Sequence, residues 1–211
     1  MTDYTSLNLA RCALVVIDVQ ADFVDGAMPV PGTAELLPVF ERLVQAFRAA
    51  ERPIAHVIRF YEPGGSDVDT VRRASIEAGA VVAAPGTAGS RIPARLTDGH
   101  DVELDHRTLV AGGLQHLGPQ EVVMFKPRWS AFHRTALQTW LEQHAVDSVV
   151  VAGCNLPNCP RATLFDAAAR DYRTAVVTDA VSQVTEERLA DLRLIGVNLV
   201  TTSELEELLS V

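Results

Sequence analysis

The chain has 211 residues, of which 48% are hydrophobic and 21% are charged, and its formal net charge at pH 7 is −9. This length and composition are typical of a globular protein, and the sequence predicts a single domain over residues 1–211. The acidic balance argues against nucleic acid or an anionic membrane surface as a partner, since both need a basic patch. No apolar run approaches the roughly 20 residues of a membrane span.

Cysteine and histidine usage indicates a reduced compartment and no metal site. The three cysteines form no Cys-x-x-Cys pair, and the first ten residues lack the pattern of a secretory signal. We therefore expect a cytoplasmic protein without disulfides. The six histidines show no ligand spacing, so the sequence predicts no metal and no cofactor.

In chain order, short apolar runs alternate with helical patterns. Strands are predicted at 13–19, 54–60, 121–125, 148–153, 174–178 and 197–200. Helices are predicted at 36–47, from Ser66 or Asp67 to about residue 78, and at 135–144, 160–171, 186–195 and 203–209. This alternation predicts a parallel sheet with helices on both faces. Between residues 79 and 118 the pattern weakens, with one extended piece expected near 102–104. A connection this long usually has a function or a fold of its own.

The stretch around Cys159 carries the clearest chemical signal. A β-branched strand ends at Gly153, and a helical pattern begins near Pro160. Cys159 is thus predicted at a helix N-terminus, where unpaired N–H groups and the helix dipole favour a thiolate. We interpret this arrangement as one that activates the sulfur. The alternative is a buried structural cysteine, which is the commoner role for this residue type.

Three ionisable residues fall at or just beyond the carboxyl ends of predicted strands: Asp18, Lys126 and Cys159. Such ends meet at one edge of a parallel sheet, where ligands bind. Within that edge, Asp18 can accept the thiol proton, and Lys126 can offset the repulsion between two anions. The sequence therefore predicts nucleophilic catalysis by Cys159 without a histidine.

Together these pieces resemble the isochorismatase-like cysteine hydrolases, a family that includes nicotinamidases and N-carbamoylsarcosine, biuret and ureidoacrylate amidohydrolases. The matching segments are 15–23, 30–32, 126–132 and the pair Gly153 and Cys159. The resemblance implies a three-layer αβα sandwich around a mainly parallel six-stranded sheet. It also implies a homodimer or homotetramer.

The same resemblance assigns roles to individual residues. It implies Asp18 as general base, Lys126 as electrostatic partner and Cys159 as nucleophile. It further implies a cis peptide between Cys154 and Asn155, which directs the amides of Asn155 and Cys159 into an oxyanion hole.

This chain departs from the family pattern at two places. Leu156, Pro157 and Pro160 replace the usual residues around the cysteine and predict a stiffer loop. After the second strand, the Asp-x-His of nicotinamidase metal sites is missing, so neither that metal site nor nicotinamide as substrate is expected.

Substrate contacts are predicted for five residues near the three strand ends. They are Phe23, Arg59, Arg128, Trp129 and Asn158. An arginine at such a position can bind a substrate carboxylate through two parallel hydrogen bonds. For Arg59 and Arg128, an ion pair with a protein carboxylate or a subunit contact is the stronger alternative. For Phe23, an ordinary core position is an equal alternative.

The sequence therefore predicts a hydrolase that uses a Cys159 nucleophile on a small amide, carbamoyl or ureido C–N bond, with a small molecule as partner. Two alternatives stay open. One is isochorismatase activity, which hydrolyses a vinyl ether, releases pyruvate and does not strictly need the thiol. The other is a non-catalytic binding member of the same fold.

Overall fold

The computed structural model describes residues 3–65 and 67–210. Its seven strands form one sheet in the order β3-β4-β2-β1-β5-β6-β7. The strands are β1 (Cys12–Ile17), β2 (Ile54–Ile58), β3 (Gln115–Gly118), β4 (Glu121–Phe125), β5 (Ser148–Gly153), β6 (Arg173–Val181) and β7 (Asn198–Val200). The α-helices are α1 (Ala21–Val24), α2 (Leu37–Ala49), α3 (Thr70–Glu77), α4 (His106–Val110), α5 (Leu137–Gln143), α6 (Cys159–Ala168), α7 (Glu186–Leu194) and α8 (Thr202–Leu209).

Strand β1 lies in the middle of the sheet and pairs in parallel with β2 and β5. All residues of these three strands are buried, which explains why they read as continuous apolar runs. Alternate side chains of β1 enter two different cores. Val15 and Ile17 join one cluster, and Leu14 and Val16 join the other. The sheet is therefore covered on both faces.

The helices divide between these two faces. Trp140 of α5, Leu164 of α6 and Leu192 of α7 pack in the cluster that contains Val15. On the opposite face, Phe40 of α2 and Leu205 of α8 pack in the other cluster. The expected three-layer αβα architecture with a mainly parallel sheet is therefore present.

The segment between residues 79 and 118 supplies what the sequence pattern missed. Strand β3 pairs antiparallel with β4 at the sheet edge, so the sheet has seven strands and not the predicted six. Its residues are only partly buried, and a half-exposed edge strand leaves no apolar run to detect. No strand forms at 102–104, and the short helices α1 and α4 were not predicted.

Helix α3 begins later than predicted. Its N-cap is Asp69, and the candidate cap Ser66 lies outside the described residues. None of the helices formed by residues 3–65 and 67–210 has the length and apolar character that a membrane-spanning segment needs. The homodimer or homotetramer and the cytoplasmic location stay predictions.

One glycine lets the two central strands meet below the candidate site. Gly153 ends β5 with φ +120°, and a Cβ built on it would lie 2.1 Å from the carbonyl oxygen of Ile17. The backbone atoms of β1 cannot yield as a flexible side chain would. Only glycine therefore allows β5 to approach β1 here while adopting this backbone conformation.

We predict that Gly153→Ala lowers the free energy of unfolding by about 2–5 kcal/mol, because a positive φ and a backbone clash both oppose the methyl group. Gly112→Ala is the matched control. Gly112 also has a positive φ, +87°, but no atom lies within 4 Å of its Cβ position, so it should lose only about 1–2 kcal/mol. Denaturant unfolding of both variants measures the difference, and equal losses would contradict the prediction.

Candidate active site

The sheet brings Asp18, Lys126 and Cys159 to one edge. Asp18 follows β1, Lys126 follows β4, and Cys159 is the first residue of the helix after β5. The amide of Asp18 donates to the carbonyl of Val57 at 2.9 Å, and the amide of Lys126 donates to that of Ile58 at 2.9 Å. Both residues are thus held by backbone bonds to the strand between them.

A buried ion pair forms the base of the site. Lys126 is fully buried, and its Nζ lies 2.8 Å from Oδ2 of Asp18. The ammonium also donates to the carbonyl of Arg128 at 3.3 Å. The second carboxylate oxygen of Asp18, Oδ1, is buried and has no hydrogen-bond partner among the described residues. One oxygen is therefore fixed by the lysine, and the other is available to a new donor.

The surroundings of the Cys159 thiol oppose its ionisation. Burial and the nearby Asp18 carboxylate raise its pKa to about 12, and Lys126 offsets only part of this rise. The helix N-terminus predicted for Cys159 is present, since α6 begins at this residue. It does not by itself ionise the sulfur, because desolvation and Asp18 oppose the charge.

The loop between β5 and α6 presents two free backbone donors. The Cys154–Asn155 peptide is cis, as the family resemblance implies. Within the described residues, the backbone N–H groups of Asn155 and Cys159 have no hydrogen-bond acceptor. Leu156 anchors the loop, since its side chain is in the core and its N–H donates to Ser182 at 2.9 Å. Two unpaired N–H groups beside a thiol can bind a developing oxyanion.

A narrow cavity of about 40 Å³ opens onto these groups, and we call it the active-site pocket. Its lining residues are Asp18, Phe23, Val30, Arg59, Tyr61, Arg72, Trp129, Cys154, Asn155, Asn158 and Cys159. A larger cavity of about 790 Å³ lies between the end of α2 and the β3–β4 hairpin, and none of the three site residues lines it.

Four of the five predicted substrate contacts line this pocket: Phe23, Arg59, Trp129 and Asn158. Arg128 does not. Its guanidinium pairs instead with Asp67 at 2.8 Å. The ion-pair alternative for Arg128 therefore describes its position better than a substrate contact does.

Arg59 combines both alternatives considered for it. It is buried, and its guanidinium forms an ion pair with Asp69 at 2.5 Å. It also donates to the carbonyl of Lys126 at 3.1 Å. The charge of Arg59 is thus already compensated, although the side chain lies in the pocket wall.

Four pocket residues were not predicted as site residues from the sequence: Val30, Tyr61, Arg72 and Cys154. Tyr61 lies two positions after Arg59, at the same strand end, and this spacing is the signal that could have found it. Arg72 lies on α3, and no local pattern separates it from its neighbour Arg73. Its role depends on where α3 packs.

A nicotinamidase-type metal site does not fit the residues present. In the described ranges 3–65 and 67–210, no three His, Cys, Asp or Glu side chains converge as metal ligands do. His56 lies within β2 and is buried against Glu121, with 2.7 Å between its Nε2 and Oε1 of Glu121.

The fold and the site define an α/β protein whose pocket holds a cysteine at a helix N-terminus beside a buried carboxylate–ammonium pair. This chain belongs to the isochorismatase family, because the isochorismatase domain model matches residues 12–204. It is also 31% identical to an isochorismatase family protein from Desulfovibrio vulgaris, whose crystal structure superposes with a TM-score of 0.79 over 95% of this chain and 99% of that one. The predicted family and fold are thereby confirmed.

Two named relatives bear on activity. A protein of Arabidopsis thaliana named probable inactive nicotinamidase is 34% identical, over 92% of this chain and 94% of the plant protein. The ureidoacrylate amidohydrolase RutB of Methylobacterium radiotolerans is 29% identical, over 87% of this chain and 72% of that protein. Relatives of this chain thus include an amidohydrolase and a protein named a probable inactive nicotinamidase.

We predict that Asp18→Asn makes Cys159 react faster with iodoacetamide at pH 8. Removing the carboxylate charge lowers the thiol pKa, and each unit of decrease gives about tenfold more thiolate. The thiolate is then less nucleophilic, so we expect a net increase of about threefold or more. In the unchanged protein, the alkylation rate should still rise with pH at pH 10. Peptide mapping separates Cys159 from the other two cysteines.

Lys126→Met is the matched control, since it breaks the same ion pair but removes the positive charge. It should slow alkylation, because the thiol pKa rises further. Breaking a buried pair costs about 3–5 kcal/mol, so either variant could unfold locally. Faster alkylation in both variants would indicate such local unfolding. Slower alkylation in Asp18→Asn would show instead that Cys159 rests as a thiolate whose proton Asp18 holds.

Proposed function

We propose that this chain is a cysteine hydrolase of small amide, carbamoyl or ureido C–N bonds. The observation that carries the proposal is that the two carboxylate oxygens of Asp18 have different surroundings. Lys126 holds Oδ2, while Oδ1 is buried and has no partner among the described residues. Asp18 and Cys159 line the same pocket. A carboxylate in this state can take a proton from the thiol without losing its own ion pair.

In the first half-reaction, the Cys159 sulfur attacks the carbonyl carbon while its proton passes to Asp18. The carbonyl π electrons move to oxygen, and this oxyanion accepts hydrogen bonds from the N–H groups of Asn155 and Cys159. The tetrahedral intermediate then collapses. Its C–N bond breaks, the proton on Asp18 goes to the leaving nitrogen, and ammonia or an amine departs from a thioester.

In the second half-reaction, water replaces the amine. Asp18 takes a proton from the water as its oxygen attacks the thioester carbon, and the same two N–H groups hold the oxyanion. The C–S bond breaks, and the proton on Asp18 returns to sulfur. The thiol is regenerated, and the acid is released. General acid–base help of this kind contributes about 10²–10⁴-fold, and one oxyanion donor contributes about 2.7–4 kcal/mol.

The raised pKa of Cys159 supports this order of events. A thiol with a pKa of about 12 is protonated at neutral pH, so the nucleophile forms only as the proton moves to Asp18. Lys126 forms an ion pair with Asp18 and stabilises the negative charge that the attack creates. The neutral thiol also explains how two potential anions share one buried edge of the sheet.

We predict that Cys159→Ala abolishes ammonia release from every compound that the unchanged protein hydrolyses, a loss of about 10⁴-fold or more. The screen should cover carboxamides, ureas and carbamoyl acids. Mass spectrometry of the unchanged protein with a slow substrate should find an acyl adduct on Cys159. Cys12→Ala is the control for loss of a thiol, because Cys12 is buried in β1 and does not line the pocket.

Other outcomes point to the two alternatives. Pyruvate release from isochorismate that survives in Cys159→Ala would assign vinyl-ether hydrolysis. No turnover of any compound, together with no adduct, would assign a non-catalytic binding protein. Undiminished amide hydrolysis in Cys159→Ala would end the proposal.

A further inference from the structure

The active-site pocket carries one cation without an acidic partner among the described residues. The Lys126 charge is balanced by Asp18, and the Arg59 charge is balanced by Asp69. Arg72 also lines the pocket, but it forms no ion pair within residues 3–65 and 67–210. The wall therefore has an excess of one positive charge.

The protein uses little of the hydrogen-bonding capacity of Arg72. Its Nη1 lies 2.7 Å from the thioether sulfur of Met28, which is a weak acceptor. Its guanidinium carbon lies 5.8 Å from the ring centroid of Tyr61, and that of Arg59 lies 4.7 Å from the same centroid. Burial raises the pKa of Tyr61, so its hydroxyl adds no negative charge. The ring supports Arg72, and most of its five N–H donors have no acceptor among the described residues.

The neighbouring arginine shows what a structural role looks like on the same helix. Arg73 donates to the carbonyl of Val68 at 3.2 Å and does not line the pocket. Arg72 is half-buried, contacts a thioether and an aromatic ring, and lies in the wall of the cavity that contains Cys159. A half-buried guanidinium without an acidic partner among the described residues is free to bind an anionic ligand.

A guanidinium presents a planar pair of N–H donors that matches the two oxygens of a carboxylate. The other pocket residues Phe23, Val30 and Trp129 offer apolar walls and no competing charge. We propose that Arg72 binds a carboxylate of the substrate, so that the preferred substrates are small amides, carbamoyl or ureido compounds that also carry a carboxylate. This inference rests on the proposed function and names the substrate class of the same site.

The kinetic test compares acids with neutral compounds of matched shape. Succinamate is paired with succinamide, and N-carbamoylglycine with its amide. In Arg72→Met, the ratio of kcat/KM for the acid to that for the neutral compound should fall about 10–100-fold, mainly through KM. Arg72→Lys should retain part of the preference. Arg73→Met is the control and should keep the ratio of the unchanged protein.

A second readout does not depend on turnover. Succinate should protect Cys159 from iodoacetamide in the unchanged protein and in Arg73→Met, and this protection should be lost in Arg72→Met. Thermal unfolding of each variant checks that the fold is kept. An unchanged acid-to-neutral ratio with unchanged protection would overturn the role of Arg72.

The two arms separate this inference from the proposed function. One outcome is that neutral amides are hydrolysed through Cys159 while Arg72→Met leaves the acid-to-neutral ratio of kcat/KM unchanged. In that case the proposed hydrolase function holds and the proposed carboxylate preference is wrong. If succinate protects Cys159 through Arg72 but no amide, urea or carbamoyl acid is turned over, the anion site stands and the hydrolase is wrong.

Discussion

The ion pair between Lys126 and Asp18 is the constraint on which the site depends. A fully buried ammonium is tolerable only beside a carboxylate, and leaving either charge alone costs about 3–5 kcal/mol. The pair therefore fixes where the ends of β1 and β4 lie relative to each other. It also determines which oxygen of Asp18 the proposed proton transfer would use. With Oδ2 held by the lysine, only Oδ1 can accept a proton from a group in the pocket.

The central strands and the loop after β5 contribute differently to the site. Strands β1, β2 and β5 are buried throughout and hold the acid in a rigid sheet. The loop after β5 is short, and Leu156 fastens it to the core and to the backbone of Ser182. Its free N–H donors therefore keep their direction before any ligand arrives. Donors oriented in advance need no reorganisation when charge develops, which is the condition for electrostatic catalysis.

The sequence predicted the strands around the site better than it predicted the side chains of the pocket wall. The bounds of β4 and β5 match the predicted 121–125 and 148–153, because buried parallel strands are continuous apolar runs. Strand ends in turn located Asp18, Lys126 and Cys159. Trp129 lines the pocket, whereas its neighbour Arg128 turns to Asp67. The sequence could not predict that Arg72 lines the pocket, because its position depends on how α3 packs after an irregular connection.

The charge of the resting pocket connects the thiol to the arginine. If Cys159 rested as a thiolate, a carboxylate entering the pocket would meet a like charge in a cavity of about 40 Å³. Burial and Asp18 raise the pKa of the thiol to about 12, which opposes that charge, and Lys126 forms an ion pair with Asp18. Arg72 is then the only uncompensated charge on the wall within the described residues. The two proposals therefore fit together electrostatically. Arg72 would bind an anionic substrate first, and the thiol would become an anion only when its proton moves to Asp18.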